Sequence, residues 1–319
     1  MSELVAITGG AGFIGSHLAE GFLRAGYAVR VVDNLSTGSI GNLFRISAGT
    51  DFRNLDIRDG EGLVNAFRDA AIVLHHAAFS SVPRSFDDVR YMHEVNVTGT
   101  LNVFSAALRA GVRKIVYASS SSVYGSNGAD IQIEGGTPSP LSPYALSKWM
   151  GELYAAHFAK NSALETVSVR YFNVFGPRQS LLGDYASVIP LFIRQFAEGS
   201  SPTVFGDGTQ TRDFTYIDNV VEAILRAAQR TIPSGSVLNI ATGKSISLNE
   251  LVQALNNIFG SLKEPIYGPE RQGDIKHSRA SIEISNELLG DYNLTDFRDG
   301  LVKTARWFLE TTGRTQKCE

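Results

Sequence analysis

Short apolar runs alternate with longer amphipathic stretches up to about residue 170. The runs are rich in β-branched residues, as is typical of buried strands, and the stretches between them repeat apolar positions with the period of a helix. This alternation predicts an α/β fold with a doubly wound parallel sheet and crossover helices. The predicted strands are 4–8, 28–32, 51–54, 72–75, 114–118 and 166–170, and the predicted helices are 13–25, 61–67, about 89–110 and 143–160.

Beyond Asn173 the pattern loosens. A Gly/Pro-rich segment at 176–179 precedes a predicted helix near 186–198 and a strand at Val204 and Phe205 that runs into a turn. Regular elements return at 217–229, 236–240 and 248–259. We therefore expect two unequal domains, the larger from residues 1–172 plus about 213–240, and the smaller from about 173–212 and 241–319.

Composition narrows the functional classes. The 319 residues are 43% hydrophobic and 19% charged, with a formal net charge of −3, so no clustered basic surface indicates a nucleic-acid partner. The apolar runs are too short to cross a bilayer, so no membrane association is expected. The first residues lack a basic segment and lead directly into a predicted strand, which argues against a signal peptide.

The single cysteine, Cys318, excludes a disulfide within the chain and a thiolate metal cluster, and a cytoplasmic location is expected. His75 and His76 follow the fourth predicted strand. Without further His, Asp or Glu at ligand spacing, they indicate the end of a strand, and no metal site is predicted.

Three glycines with dinucleotide-binding spacing lie between the first predicted strand and the first predicted helix. Gly9, Gly12 and Gly15 stand three apart. Glycines here permit a tight turn and let the backbone approach a pyrophosphate, while the helix start offers free N–H groups. The alternative is a tight turn without a ligand, but the strand-to-helix context favours dinucleotide binding.

Asp33 ends the second predicted strand, 18 residues after Gly15. A carboxylate there suits the hydroxyls of an adenosine ribose and repels a 2′-phosphate, which favours NAD over NADP. Asp33 and Asn34 are also turn-forming residues, so a turn without a ligand is the alternative. Asp56 and Ile57 follow the third strand and are expected beside the adenine, although a solvated loop acid fits Asp56 nearly as well.

Tyr144 and Lys148 lie four residues apart, on one face of a predicted helix. A free tyrosine ionises at about pH 10, but a neighbouring lysine cation and a bound nicotinamide cation both stabilise phenolate. Tyr144 is therefore a candidate general base, with Lys148 lowering its pKa. The spacing alone also fits an ordinary half-exposed helix face.

With these features in order, the chain resembles the extended short-chain dehydrogenase/reductase family and, within it, the UDP-sugar 4-epimerases. The likeness runs nearly the whole length and predicts a Rossmann-like domain with a smaller C-terminal α/β substrate-binding lobe. Asn96 and the serine run 119–122 before Tyr124 add to it, and its more specific parts are the later segments 170–176, 206–214 and 271–274.

The resemblance implies a catalytic set of Ser120, Tyr144 and Lys148. Ser120 would hydrogen-bond the 4-hydroxyl of the sugar, Tyr144 would take its proton, and Lys148 would bind the ribose of the nicotinamide. NAD would stay bound, because the hydride that leaves C4 returns to the same carbon. Further cofactor contacts implied by the family are Phe13, Ile14, Asn34, Ala77, Asn96 and Tyr171.

A nucleotide sugar also needs cationic partners for its diphosphate. Arg212 and Arg271 match the family's diphosphate-binding arginines, and their planar fork suits phosphate. Asp274 would hold the uridine ribose, and Asn173 the diphosphate or the sugar. Each of these residues also fits a surface ion pair. The remaining implied substrate contacts are Ser81, Arg84, Ser121, Ser122, Val188, Val204 and Ser278.

Three reactions compete on this scaffold. Family dehydratases and decarboxylases carry acidic residues where this chain has Ser121 and Ser122, which favours epimerisation. Ser278 is small where a bulky aromatic would exclude a 2-acetamido group, so UDP-N-acetylglucosamine is the expected substrate, with UDP-glucose as a second. UDP-glucuronate epimerases share the serine run, and Arg84 or Arg178 would then meet the carboxylate. A sensor or scaffold protein without activity is opposed by the intact catalytic set.

The apolar positions of 89–110 and 143–160 exceed what one sheet face needs. In the family these two helices pair into a four-helix dimer interface, so a homodimer is expected. The same positions also fit an ordinary core.

Overall fold

A computed structural model describes residues 2–126, 129–180, 187–270 and 276–313. These residues form thirteen strands, namely β1 (Leu4–Thr8), β2 (Ala28–Asp33), β3 (Thr50–Asn54), β4 (Ala70–His75), β5 (Lys114–Ser120), β6 (Glu165–Tyr171), β7 (Val174–Phe175), β8 (Thr203–Phe205), β9 (Thr211–Arg212), β10 (Thr215–Tyr216), β11 (Ser236–Ile240), β12 (Ile246–Ser247) and β13 (Ile266–Gly268).

The same residues form eleven α-helices, namely α1 (Phe13–Arg24), α2 (Gly60–Ala66), α3 (Arg84–Asp87), α4 (Val89–His93), α5 (Thr100–Arg109), α6 (Pro143–Asn161), α7 (Val188–Ala197), α8 (Ile217–Gln229), α9 (Leu248–Phe259), α10 (Glu283–Leu289) and α11 (Phe297–Thr311). Two 3-10 helices, Ile40–Gly49 and Ser121–Tyr124, and a π-helical turn, Glu94–Gly99, complete the elements.

Seven parallel strands form the central sheet in the order β11, β6, β5, β4, β1, β2, β3. The doubly wound parallel sheet predicted from the sequence is confirmed. The chain builds outward from β1 to β3 and then returns to the other side of β1 with β4. This reversal opens a crevice beyond the carboxyl ends of β1 and β4, where open α/β sheets bind ligands.

Helices cover both faces of the sheet. On one face α1 and α8 contribute apolar residues such as Phe22 and Ile224, which are fully buried with Val5 and Ile7. On the other face α2, α5 and α6 bury Leu63, Phe104 and Ala155 against alternate strand residues. The central strands β1, β4 and β5 are thus largely buried on both faces, as their near-continuous apolar runs require.

The predicted helix at 89–110 is one continuous helical path, but it is not regular. Glu94–Gly99 widens into a π turn between α4 and α5. Such turns accommodate an extra residue and occur often beside functional sites. Apolar periodicity does not distinguish them from a regular helix, so the prediction of a single α-helix was wrong here.

Helix α6 approaches β5 closely, at a glycine. A Cβ at Gly151 would lie 2.1 Å from the hydroxyl of Tyr117. The helix is also tied to the sheet by a buried ion pair, in which Arg170 of β6 binds both oxygens of Glu152, with Nη2 2.7 Å from Oε2 and Nε 2.9 Å from Oε1. These contacts fix where the residues of α6 meet the crevice.

Three small two-stranded sheets accompany the C-terminal helices: β7 with β10, β8 with β13, and β9 with β12. The other short strands, α10 and the 3-10 helix at 40–49 were not predicted, because they are too short or too irregular for a periodic signal. The strand predicted at Val204 and Phe205 is β8. Helix α11 was missed, although its 15 residues are long enough for such a signal. The division into two domains stays a prediction. Among the described residues, no helix is both long enough and apolar enough to span a membrane.

Candidate active site

A cavity of about 780 Å³ occupies the crevice at the carboxyl ends of β1, β2, β4, β5 and β6. We call it the crevice cavity. It brings together residues from widely separated parts of the chain. Those predicted from the sequence that line it are Gly9, Gly12, Phe13, Ile14, Gly15, Asp33, Asn34, Asp56, Ile57, Ala77, Arg84, Tyr144, Lys148 and Tyr171.

The glycine loop is shaped by close backbone packing. Gly9 has φ of +69°, and a Cβ there would lie 2.6 Å from the backbone nitrogen of Ala77. A Cβ at Gly15 would lie 2.1 Å from the carbonyl oxygen of Gly9. No side chain caps the start of α1 at Gly12, so the helix N-terminus is left to serve an anion.

Asp33 ends β2 with its carboxylate turned into the loop structure. Its oxygens accept hydrogen bonds from the backbone of Ala11 at 2.9 Å and Leu35 at 2.8 Å. Asp33 is buried yet lines the cavity, so its remaining acceptor capacity faces the space where a ribose would lie.

Asp56 and Asn34 form a second polar group at the same end of the cavity. The Asn34 amide donates to Asp56 at 2.8 Å, and the Arg58 guanidinium binds the same carboxylate. Hydrogen bonds from Arg58 lower the pKa of Asp56 to about 2. Asp56 therefore stays ionised at neutral pH, and Ile57, the next residue, is buried beside it.

Tyr144 and Lys148 line the other end of the cavity, and Ser120 ends β5 near them. The Ser120 side chain is close enough to the Tyr144 phenol to oppose the rise that burial causes in its pKa. Lys148 lies one turn along α6, with Nζ 5.9 Å from the centre of the Tyr144 ring. Ser120 also accepts from the backbone and hydroxyl of Ser122, so it caps the 3-10 helix that follows β5.

Burial controls the charges in this group. Burial raises the pKa of Tyr144, and the nearby Ser120 side chain only partly opposes that rise. Burial lowers the pKa of Lys148 to about 8. The sequence predicts that the Lys148 cation lowers the pKa of Tyr144. The chain alone does not produce that result, because desolvation dominates and Lys148 donates to the carbonyl of Ala118 at 2.8 Å.

Asn96, on the π turn, acts on the loop that follows β4. Its amide nitrogen donates to the Phe79 carbonyl at 3.0 Å, and its oxygen accepts from the Phe79 backbone at 2.7 Å. The same nitrogen donates to Ser147 of α6. Asn96 is fully enclosed and thus holds the loop from behind, while Ala77 of that loop lines the cavity.

The predicted substrate residues are more scattered. Arg84 lines the cavity, with its guanidinium 5.1 Å above the centre of the Phe79 ring. Ser81 lies three residues before it and accepts from the Arg84 backbone. Ser121 and Ser122 form the first turn of the 3-10 helix after β5 and are partly buried.

A second set lies around β9. The backbone of Ser278 donates to the carbonyl of Thr211 at 3.2 Å, which places it beside Arg212. Arg212 donates to the Thr211 carbonyl at 2.9 Å. Asn173 reaches the same region from the connection between β6 and β7, since its amide donates to the Asp213 carbonyl at 3.2 Å.

Two predicted contacts lie on other elements, and two cannot be placed. Val188 begins α7, and the side chain of Val204 is fully buried in the core, which leaves only its backbone for a ligand. Arg271 and Asp274 lie outside the described residues.

Several lining residues were not predicted as site residues, among them His76 and Trp307 of α11. Arg178, which the sequence offered only as an alternative partner for a uronate carboxylate, also lines the cavity. Arg178 forms an ion pair with Glu20 and donates to Ser16 of α1, so it faces the glycine loop. A signal existed for His76 alone, because β4 ends in the crevice that the strand order predicts. Across the described parts of the chain, His, Cys, Asp and Glu form no cluster that could hold a metal.

Comparison with known proteins identifies the family. The profile of the NAD dependent epimerase/dehydratase family matches residues 5–241. The chain belongs to this family.

The similarity of this epimerase/dehydratase chain to known proteins extends over nearly its whole length. It is 37% identical to the UDP-glucose 4-epimerase of Mycolicibacterium smegmatis, covering 95% of this chain and 97% of that protein. It is similar to the structure of a UDP-N-acetylglucosamine 4-epimerase from Methanobrevibacter ruminantium in complex with UDP-N-acetylmuramic acid, with a TM-score of 0.92, 36% identity and 98% and 100% of the two chains covered. A UDP-glucose 4-epimerase from Thermus thermophilus in complex with NAD gives a TM-score of 0.86 at 35% identity, covering 96% and 98%.

The crevice cavity fits NAD, the cofactor of this family. The uncapped start of α1 and the Cβ-free glycine loop offer room and N–H donors for a pyrophosphate. Asp33 offers acceptors for ribose hydroxyls at one end, and Tyr144 and Lys148 lie at the other. The volume of about 780 Å³ falls in the range of small-molecule sites.

The glycine loop predicts a steric test. We expect Gly15→Ala to weaken NAD binding by roughly 10- to 100-fold, about 1–3 kcal/mol, because the loop must shift to admit the Cβ. Titration calorimetry measures the affinity, and thermal unfolding checks that the variant is folded. Gly135→Ala is the matched control, since a Cβ there meets no atom within 4 Å. Equal affinities for the two variants would contradict this role for the loop.

The lowered pKa of Lys148 predicts that the free energy of unfolding depends on pH. Its folded pKa is about 8, below the ordinary 10.5, so between these values the unfolded chain binds more protons and stability rises with pH. We expect wild type to gain about 1–3 kcal/mol relative to Lys148→Met between about pH 7 and about pH 10. Urea unfolding of both proteins without added NAD measures the difference. A difference that does not change with pH would mean that the amine is not desolvated.

Proposed function

We propose that the protein catalyses the NAD-dependent 4-epimerisation of a UDP-hexose, with UDP-N-acetylglucosamine as its substrate and UDP-glucose as a second. The observation that carries this proposal is the pairing of Tyr144 with Lys148, with Ser120 close by, at one end of a cavity whose other end holds Asp33. A hydroxyl, a phenol and a lysine in that arrangement can move a proton to and from an alcohol. The family and its UDP-sugar 4-epimerases support the same reaction.

Each of the three residues has a role in the reaction that follows from its position. Tyr144 takes the proton from the 4-hydroxyl and returns it, and Ser120 holds that hydroxyl and the phenol in line. When bound, NAD supplies the redox chemistry by accepting hydride from C4 and returning it, and its nicotinamide charge favours phenolate. Lys148, whose pKa of about 8 keeps it mostly protonated at neutral pH, binds the ribose and adds a second positive charge near Tyr144.

The positions of the carboxylates that line the cavity argue against elimination or decarboxylation. Within the described residues, the lining carboxylates are Asp33 and Asp56, both at the adenosine end. The positions at which family dehydratases and decarboxylases carry acids are Ser121 and Ser122 in this chain, so the second acid/base group that helps to expel water or CO2 is replaced by hydroxyls. A reaction that begins and ends with a proton on O4 needs only Tyr144.

The arginines favour a neutral sugar over a uronate. Arg178 is paired with Glu20 and lies against α1, which makes it a partner of the cofactor half of the cavity. Arg84 is the remaining lining arginine among the described residues, and it rests on Phe79. UDP-glucuronate is the alternative to these two neutral sugars, with Arg84 as its carboxylate partner.

The second set of residues is proposed to hold the nucleotide. Arg212 and Arg271 would neutralise the diphosphate, with Asn173 beside it, and Asp274 would bind the uridine ribose. The β9 region, where Arg212 and Ser278 are adjacent, would then bring the diphosphate and the sugar together. The smaller domain made of 173–212 and 241–319 is proposed as this nucleotide-sugar-binding lobe.

A product assay tests the reaction. Purified protein with NAD is incubated separately with UDP-N-acetylglucosamine, UDP-glucose and UDP-glucuronate, and products are resolved by anion exchange. We expect 4-epimers, and Tyr144→Phe should lower kcat by roughly 100- to 10,000-fold because the proton acceptor is lost. Tyr154→Phe, on the same helix and not among the lining residues, is the control. A keto-deoxy sugar or released CO2 would instead assign a dehydratase or decarboxylase.

Ser278 is expected to set the sugar range. Ser278→Tyr should reduce kcat/KM for UDP-N-acetylglucosamine roughly 10- to 200-fold more than for UDP-glucose, because the aromatic ring would fill the space of the acetamido group. Steady-state kinetics on both sugars measures this, and Ser278→Ala, which stays small, is the matched control. Equal losses on the two sugars would remove Ser278 from this role.

A homodimer through a four-helix interface is also proposed. Leu146 and Leu153 lie two turns apart on α6 and are 41% and 54% exposed, and Val89 at the start of α4 is 49% exposed. Such a run of exposed apolar side chains on adjacent helices is typical of a self-association surface.

Sedimentation tests the dimer. Leu153→Glu should convert a dimer to a monomer at micromolar concentration, because a charge would be buried unpaired at the interface. Leu262→Glu is the control, since Leu262 is 97% exposed and lies away from these helices. A wild type that sediments as a monomer would refute the interface.

A further inference from the structure

The side chains of His76 and Tyr171 meet across the carboxyl end of β5. β4 and β6 both flank β5 in the sheet, so their carboxyl ends lie roughly 10 Å apart, at two strand spacings. His76 follows β4 and Tyr171 ends β6. The imidazole Nε2 and the tyrosine hydroxyl are 2.7 Å apart, and the two rings lie 5.8 Å apart between centres. We call this pair the His76–Tyr171 bridge.

The backbone beneath His76 is rigidly held. Its N–H donates to the carbonyl of Thr8 at 3.1 Å, which continues the pairing of β1 with β4. Ala77, the next residue, packs tightly against Gly9: a Cβ on that glycine would lie 2.6 Å from the Ala77 nitrogen. His76 is thus anchored to the glycine loop, and the bridge transmits that position to β6.

The bridge runs past the ammonium of Lys148. The carbonyl of Ala118, near the end of β5, accepts from Lys148 at 2.8 Å, between the two strands that the bridge connects. His76, Ala118, Lys148 and Tyr171 all line the crevice cavity. They make one continuous wall at the end that carries Tyr144.

His76 is suited to this place as a neutral group. Burial and the nearby Lys148 cation lower its pKa to about 3, so at neutral pH it adds no charge beside the lysine. His75 is neutral for the same reasons. It is occupied elsewhere, between Thr8 and Thr100. His76 Nδ1 is buried, and no hydrogen-bond partner for it is present among the described residues, so the Tyr171 hydroxyl is the side-chain hydrogen-bond partner of the imidazole there.

We propose that His76 is a positioning residue: by holding the Tyr171 hydroxyl across the end of β5, it fixes the cavity wall that receives the nicotinamide end of NAD beside Lys148. It acts through Tyr171 and takes no part in proton or hydride transfer. The kinetic part of this inference rests on the proposed epimerase function, and the binding part does not.

Four variants of the full chain test the bridge: His76→Leu, Tyr171→Phe, their double variant, and His76→Gln. Loss of one buried hydrogen bond is worth about 1 kcal/mol, so each of the first two should weaken NAD affinity and lower kcat by roughly 5-fold, with KM for the sugar unchanged. Because both remove the same contact, the double variant should be no worse than either single one. His76→Gln keeps a donor and an acceptor and should recover part of the loss.

NAD affinity is measured by quenching of tryptophan fluorescence, since Trp307 lines the cavity. Thr166→Val is the matched control. It removes the buried hydrogen bond that the Thr166 hydroxyl donates to the carbonyl of Ala155, two turns beyond Lys148 along α6. Neither residue lines the cavity, so the change should lower thermal stability without altering affinity or kcat.

If the losses in affinity and kcat of the two single variants multiply in the double variant, His76 and Tyr171 act separately. That result would overturn the proposed role of the bridge. Reduced thermal stability with unchanged affinity and kcat would also overturn it, leaving a structural role. A wild type that binds NAD but converts no UDP-sugar would count against the epimerase function. The affinity measurements would still decide whether the bridge positions the cofactor site.

Discussion

The buried ion pair between Glu152 and Arg170 is the interaction on which the site depends. Both side chains are almost fully enclosed, at 5% and 3% exposure, so either charge alone would be strongly destabilising. Glu152 also accepts from Ser119 of β5. One carboxylate therefore fixes α6 to two neighbouring strands at once, and it fixes the rotation of the helix as well as its distance.

That rotation determines where the reacting groups lie. Tyr144, Lys148 and Glu152 follow one another at four-residue intervals on α6, so they share a face. When Glu152 is bound to the sheet, the two residues before it on that face are directed to the carboxyl ends of β5 and β6. The closeness of Ser120 to Tyr144 and the Lys148 bond to Ala118 follow from this placement. The same burial that holds the pair also removes water from Lys148, which links the architecture to the electrostatics.

Local features of the sequence predicted much of this arrangement. The order of strands and helices, the glycine loop and Asp33 are encoded in short segments whose periodicity and turn residues leave few alternatives. The proximity of Ser120 to Tyr144 was predicted only through the family resemblance, since 24 positions separate them and no local rule links a strand end to a helix face. The Glu152–Arg170 pair and the partnership of His76 with Tyr171 were not predicted. They depend on which strands become neighbours, and the elevated pKa of Tyr144 depends on how much solvent the packing excludes.

The tightness of the glycine loop has a consequence for how this protein can become more heat-resistant. Replacing glycine by alanine commonly stabilises a protein, because the unfolded chain then has fewer conformations to lose. That route is closed at Gly9 and Gly15, because alanine at either position would place its methyl group against backbone atoms. The loop must therefore keep the conformational freedom of its glycines when unfolded. Any thermostable descendant that retains the cofactor would have to offset that entropy elsewhere in the fold.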